Sequence, residues 1–156
     1  MQRASMRAAL ALMHSNSQDK EAVCKEGIEE IEKSTIKRIY KGIANAPLYN
    51  SWGIVYRMSN PIFAMSLYWK GIKGAQDKTT DKANLYNNLS DAYKNLAMKE
   101  GLSIVNRERY FKKVFRFLEL ALENYPEEEE KHIKGAHKKL EDIRKKKEEF
   151  DKTREK

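Results

Sequence analysis

Side chains able to hold a metal, attack a carbonyl or shuttle a proton form no catalytic constellation along this chain of 156 residues. His132 and His137 stand five positions apart. Neighbours on one helix face stand three or four apart, so the two make a poor metal pair. The run of Glu at 127–130 places carboxylates side by side. Acid/base chemistry by paired carboxylates needs a pocket, whereas a solvated run suits the first turn of a helix, where negative charge complements the dipole. Cys24 falls near an expected helix N-terminus, which lowers a thiol pKa slightly, but it reads better as a passive, partly buried thiol. The chain carries no Gly-rich phosphate loop, no Cys–Cys spacing and no His-Glu-x-x-His. It is therefore expected not to be an enzyme and to need neither metal nor cofactor.

Charge offers a second kind of chemistry. Lys and Arg number 31 against 23 Asp and Glu, a formal net charge of +8. The excess is spread over the whole length, so no segment is a polycationic arm. The densest basic run lies at 107–116, where Arg107, Arg109, Lys112, Lys113 and Arg116 face only Glu108. Tyr110 and Phe111 interleave with these cations and could stack on bases. An anion or nucleic-acid patch, RNA included, is one reading of this run; an ordinary solvated helix face is the other.

The elements that must position these residues are helical. Gly (7) and Pro (3) are scarce, while Ala, Leu, Lys and Glu are abundant. Hydrophobic residues make up 40% of the chain, enough for one core. A lone cysteine cannot form an internal disulfide and suits a reducing, cytoplasmic setting. About seven helices are expected. Residues 1–18 hold Arg3 and Arg7 with no acid, a superficial likeness to a transit peptide; a short helix packing Met6, Leu10 and Met13 is the better account. A second helix follows from Asp19 and should stop before Pro47, which disfavours helical geometry at Ala46. A third runs to about Met58. A fourth begins at Pro61 in its favoured first turn and ends at Gly74. Thr80 or Asp81 caps a fifth, which stops near Gly101. Ser103 or Asn106 caps a sixth, closed by Pro126. The last, highly charged helix spans 127–156. No segment alternates as a strand does.

Paired helices invite a search for repeats. Tyr68-Trp69-Lys70-Gly71-Ile72 repeats the pattern of Ile39-Tyr40-Lys41-Gly42-Ile43. Trp52-Gly53-x2-Tyr56 precedes Ala64-x3-Tyr68-x2-Gly71, and Leu89-Ser90-x2-Tyr93 precedes Val114-x3-Leu118-x2-Ala121 and Pro126. Small residues admit a neighbouring helix closely and large ones fill the holes between. This pattern resembles the tetratricopeptide repeat, over residues 39–126. The turn after Tyr56 is shorter than the family's, and the stretch from Tyr93 to Val114 is longer. The fold class expected is all-α, antiparallel helical hairpins forming a TPR-like α-solenoid fragment in a single domain. Residues 1–46 would be degenerate helices, 47–126 two hairpins and 127–156 a charged capping helix. A generic antiparallel bundle is the alternative.

The resemblance implies a groove lined by the first helix of each pair. Asn50, Ile54, Arg57, Asn87, Asp91 and Lys94 would line it and grip a peptide or helix of another protein. The set does not reproduce the clamp with which some family members hold acidic chaperone tails. The last segment adds a stripe of Ile133, Ala136, Leu140, Ile143, Lys147 and Phe150, short for a coiled coil. It suits a helix that seals the last hairpin better than one that dimerises, so a monomer or weak homodimer is expected. No run is long enough to span a bilayer, and no membrane partner is expected.

Overall fold

The computed structural model describes residues 17–154, and among these every regular element is a helix. They are α1 (Ser17–Lys33), α2 (Arg38–Tyr56), α3 (Pro61–Gly74), α4 (Thr80–Ala97), α5 (Ile104–Asn124) and α6 (Glu130–Arg154). The all-α class is as expected. The short helix expected around Met6, Leu10 and Met13, and the leader-like composition there, lie outside the described residues.

One boundary differs from expectation. Pro47 does not end a helix but lies inside α2. The chain breaks earlier, at 34–37, so the division placed after residue 46 falls within a helix. Ser34 turns its hydroxyl back on the Ile31 carbonyl at 2.6 Å, and Thr35 and Ile36 are β-branched, a run with weak helical preference. Pro47 removes one ladder bond, a cost of about 3 kcal/mol in an isolated helix. Ala46 and Leu48 on either side of it are fully buried, and that packing outweighs the missing bond.

The other ends follow local rules. The Asn60 side chain accepts from the Phe63 amide at 3.1 Å, with Pro61 in the first turn of α3. Thr79, rather than Thr80 or Asp81, caps α4 by accepting from the Lys82 amide. Ser103 caps α5, accepting from Asn106. Gly101 takes φ +70° in the connector before it, a region open to glycine. Tyr125 is extended, as a residue before proline must be, and ends α5. Glu127, Glu128 and Glu129 precede α6 instead of forming its first turn, which begins at Glu130.

Consecutive helices pack in series: α1 on α2, α2 on α3, α3 on α4, α4 on α5 and α5 on α6, with α2 also touching α4. The closest approaches occur at small residues. A Cβ added at Gly53 would lie 2.3 Å from the Tyr68 ring, so the glycine is what lets α3 seat a buried tyrosine against α2. Gly42 and Gly74 meet backbone to backbone in the same pair. Between the pairs, Ala46, Ala64, Tyr68, Ile72, Leu85, Leu89 and Phe117 make one cluster. Phe117 is ringed by Trp69, Tyr86 and Tyr93 at 5.4–6.3 Å between centroids.

The apolar stripe of α6 closes the end of this stack. Leu140 and Ile143 join Ala97, Phe111, Val114 and Leu118. Ala136 joins Ala83, Ala121 and Tyr125. The stripe is thus covered from within the chain, which leaves little of it for a second copy. Among the described residues no helix is long and apolar enough to cross a membrane.

Candidate functional site

Asn50 and Ile54 lie on α2, with Arg57 as its C-terminal cap, and Asn87, Asp91 and Lys94 succeed one another at helical spacing on α4. Because α2 and α4 touch, the two rows face a common space. Five of the six side chains meet in one polar network. Asn88 donates to Asn50 Oδ1 at 2.8 Å. Arg57 donates from Nη1 to Asn88 Oδ1 at 3.3 Å and to Asp91 Oδ2 at 3.5 Å. Lys94 reaches Asp91 Oδ1 at 3.4 Å. Ile54 is half-buried on the same face and makes no polar contact there.

The centre of the network is a residue that the sequence reading passed over. Lys139, on α6, donates to Asn87 Oδ1 at 2.8 Å and to Asp91 Oδ2 at 2.9 Å. Its side chain is only 24% exposed, and that of Asp91 14%. Burial pulls the Lys139 pKa below the usual lysine range, and the Asp91 charge opposes that pull. The available signal was its position beside Leu140, at the border of the α6 stripe. A cation there must either reach past the apolar seam or find a partner across it.

Three cations, Arg57, Lys94 and Lys139, therefore converge on one carboxylate. One carboxylate is thus shared by three cations at a partly desolvated site. Beneath them the Tyr68 hydroxyl is buried without a hydrogen-bond partner, and burial pushes its pKa up. The network opens onto a groove of about 460 Å³ between Lys94 and α6. Lys138, Lys139, Lys145 and Lys146 line it against Asp142 and Glu149. Cations gathered in this way are suited chemically to an anionic group, and among the described residues no nucleophile is arranged against a base there.

The basic run on α5 divides in two. Arg107 turns inward: its Nη2 donates to the Lys99 carbonyl at 2.9 Å, and its guanidinium lies 4.5 Å from the Phe150 ring centre. Arg109, Lys112, Lys113 and Arg116 are exposed. The aromatics that were to stack on bases are committed elsewhere. Phe111 is buried in the core, and Tyr110 packs on Tyr93 at 6.0 Å between centroids.

The remaining candidates are local. Glu129 accepts from Thr80 Oγ1 at 3.0 Å and lies 2.7 Å from His132 Nδ1, tying the start of α6 to α4. These bonds, His132 first, hold the Glu129 pKa below the ordinary value. Cys24 is fully buried, and burial raises its pKa to about 11. Among the described residues no three His, Cys, Asp or Glu side chains gather as metal ligands do. No family model, curated protein or solved structure matches the chain.

Proposed function

We propose that this chain is a non-catalytic, TPR-like adaptor that holds a segment of another protein in the groove between α4 and α6, beside the polar network that Arg57 joins. The single observation that carries the reading is the convergence of Arg57, Lys94 and Lys139, from three different helices, on Asp91. A basic groove beside this cluster suits an extended segment bearing Asp or Glu. The seating of Tyr68 against Gly53 is the kind of packing that the repeat pattern implies. A reducing, cytoplasmic setting accords with a single buried cysteine.

The test uses fluorescent peptides of matched length, one rich in Asp and Glu, one rich in Lys and one neutral, titrated against the full chain by anisotropy. The acidic peptide binds best. Lys138→Glu with Lys146→Glu, both at exposed positions, weakens it at least tenfold, about 1.4 kcal/mol, with circular dichroism checking that the variant folds. Equal binding of all three peptides, or an unchanged affinity in the variant, would move the site elsewhere.

A further inference from the structure

The exposed face of α5 has a second half that its sequence conceals. Val105, Arg109, Lys112 and Arg116 recur at helical spacing and share one outward face. Arg109, Lys112 and Lys113 have no ion-pair partner among the described residues, whereas Arg116 sits 3.8 Å from Glu119 and 3.9 Å from Glu123. Along this face the chemistry changes in order: apolar at the start of the helix, then basic, then acidic.

The apolar end is larger than one valine. Val105 is 75% exposed, and Met98 and Ile104 beside it are exposed too. The turn between α2 and α3 presents Met58, and the first turn of α3 presents Ile62, 78% and 68% exposed. The two turns are neighbours, for the Asn95 amide near the end of α4 lies 3.5 Å from Met58 Sδ. Five large apolar side chains thus crowd one end of the molecule. Single exposed apolar residues are ordinary on protein surfaces; a cluster beside unpaired cations is not.

We propose that this end docks on the surface of an anionic lipid bilayer, the two turns entering the headgroup layer and the α5 cations meeting lipid phosphates or carboxylates. Complementarity of charge and depth selects this occupant. With a rise of 1.5 Å per residue, Arg109, Lys112 and Lys113 stand roughly 6–12 Å beyond Val105 along the helix. That is about one Debye length, so they feel the headgroup charge when Val105 is immersed. Glu119 and Glu123 lie farther from the surface, where their repulsion is screened. Glu100 in the connector and Glu108 on α5 oppose docking, and Lys99 offsets one of these charges. Nucleic acid fits less well, because the neighbouring tips are apolar and Phe111 is buried. Surface docking needs no crossing helix. It departs from the sequence-based expectation of no membrane partner because exposure of the turn residues is a property of the fold.

The test is co-sedimentation of the full chain with phosphatidylcholine vesicles, with and without phosphatidylserine. The protein sediments with the serine-containing vesicles, and salt weakens the binding. Met58→Ser with Val105→Ser lowers the partition coefficient about tenfold. Arg109→Glu with Lys112→Glu lowers it by a similar factor. Both variants alter exposed side chains, and circular dichroism checks that they fold. Indifference to phosphatidylserine overturns the proposal. So does an apolar variant that binds vesicles as the parent does. Tight capture of a single-stranded RNA that survives the Met58 and Val105 changes, without vesicle binding, assigns the face to nucleic acid instead.

Discussion

Replacing Asp91 by Asn keeps the size and one acceptor of the side chain while removing the charge on which three cations converge. At the 2.9 Å separation from Lys139, an effective dielectric of about 20 gives an attraction of order 6 kcal/mol. Desolvation of both groups offsets much of that. Breaking a fully buried pair by removing one partner costs about 3–5 kcal/mol, and an exposed pair is worth about 0–1. Asp91 and Lys139 are mostly but not fully covered, so Asp91→Asn should cost about 2–3 kcal/mol. In a chain of this size that lowers Tm by roughly 5–10 °C. The assay is urea unfolding followed by circular dichroism at neutral pH, on Asp91→Asn, Lys139→Met and the double variant. The double variant removes the closest pair and leaves only Arg57 and Lys94, each about a third exposed, without the carboxylate, so it should recover most of the Asp91→Asn loss and lie within about 1–2 kcal/mol of the parent. A cost below about 0.5 kcal/mol for Asp91→Asn would refute the reasoning. Strictly additive single costs would refute it too, because the pair would then be uncoupled.

Packing, titration and reactivity offer further checks. Gly53→Ala forces a methyl into the buried Tyr68 ring, which has nowhere to move, and should cost about 2–3 kcal/mol in urea unfolding. Gly135→Ala in α6 meets nothing within 4 Å, so helix propensity alone should stabilise the fold by about 0.5–1 kcal/mol. The Lys139 pKa is lowered on folding, so the unfolded chain binds the more protons between that folded value and the ordinary value of about 10.4. Stability from this group therefore rises with pH through that window. The gap between parent and Lys139→Met, measured by urea unfolding from neutral to alkaline pH, should shift in the parent's favour as pH rises. Cys24, with its thiol raised to about 11 and fully buried, should resist an aromatic disulfide reagent at pH 8 until urea unfolds the chain; rapid labelling of the native protein would contradict its burial.

Much of the local structure was legible because it depends on few neighbours. The start at Pro61, the cap at Ser103 and the stop at Pro126 each rest on the geometry of one short segment. Pro47 shows the limit of that reasoning. The residue disfavours a helix locally, yet burial of Ala46 and Leu48 carries α2 through it. The site divides in the same way. Asn50, Arg57, Asn87, Asp91 and Lys94 were named from the resemblance to the repeat family, and their side chains do meet. Lys139 was missed, since it approaches Asp91 from a helix 48 positions away and belongs to no motif. Arg107 was grouped with its neighbours by proximity in the chain, and the helical turn points it the opposite way, onto Phe150.

By itself, the sequence determined the helical class, most helix ends and the small residues that allow close packing. These follow from backbone preference and side-chain size, which act over a few residues. Only the tertiary structure decided that α6 brings a cation onto Asp91, that the stripe of α6 is covered, and that apolar turns from two hairpins share one end. Such outcomes depend on how far apart packed helices come to lie and which way each is turned about its axis. Those quantities are set by the whole core and cannot be read from any one segment.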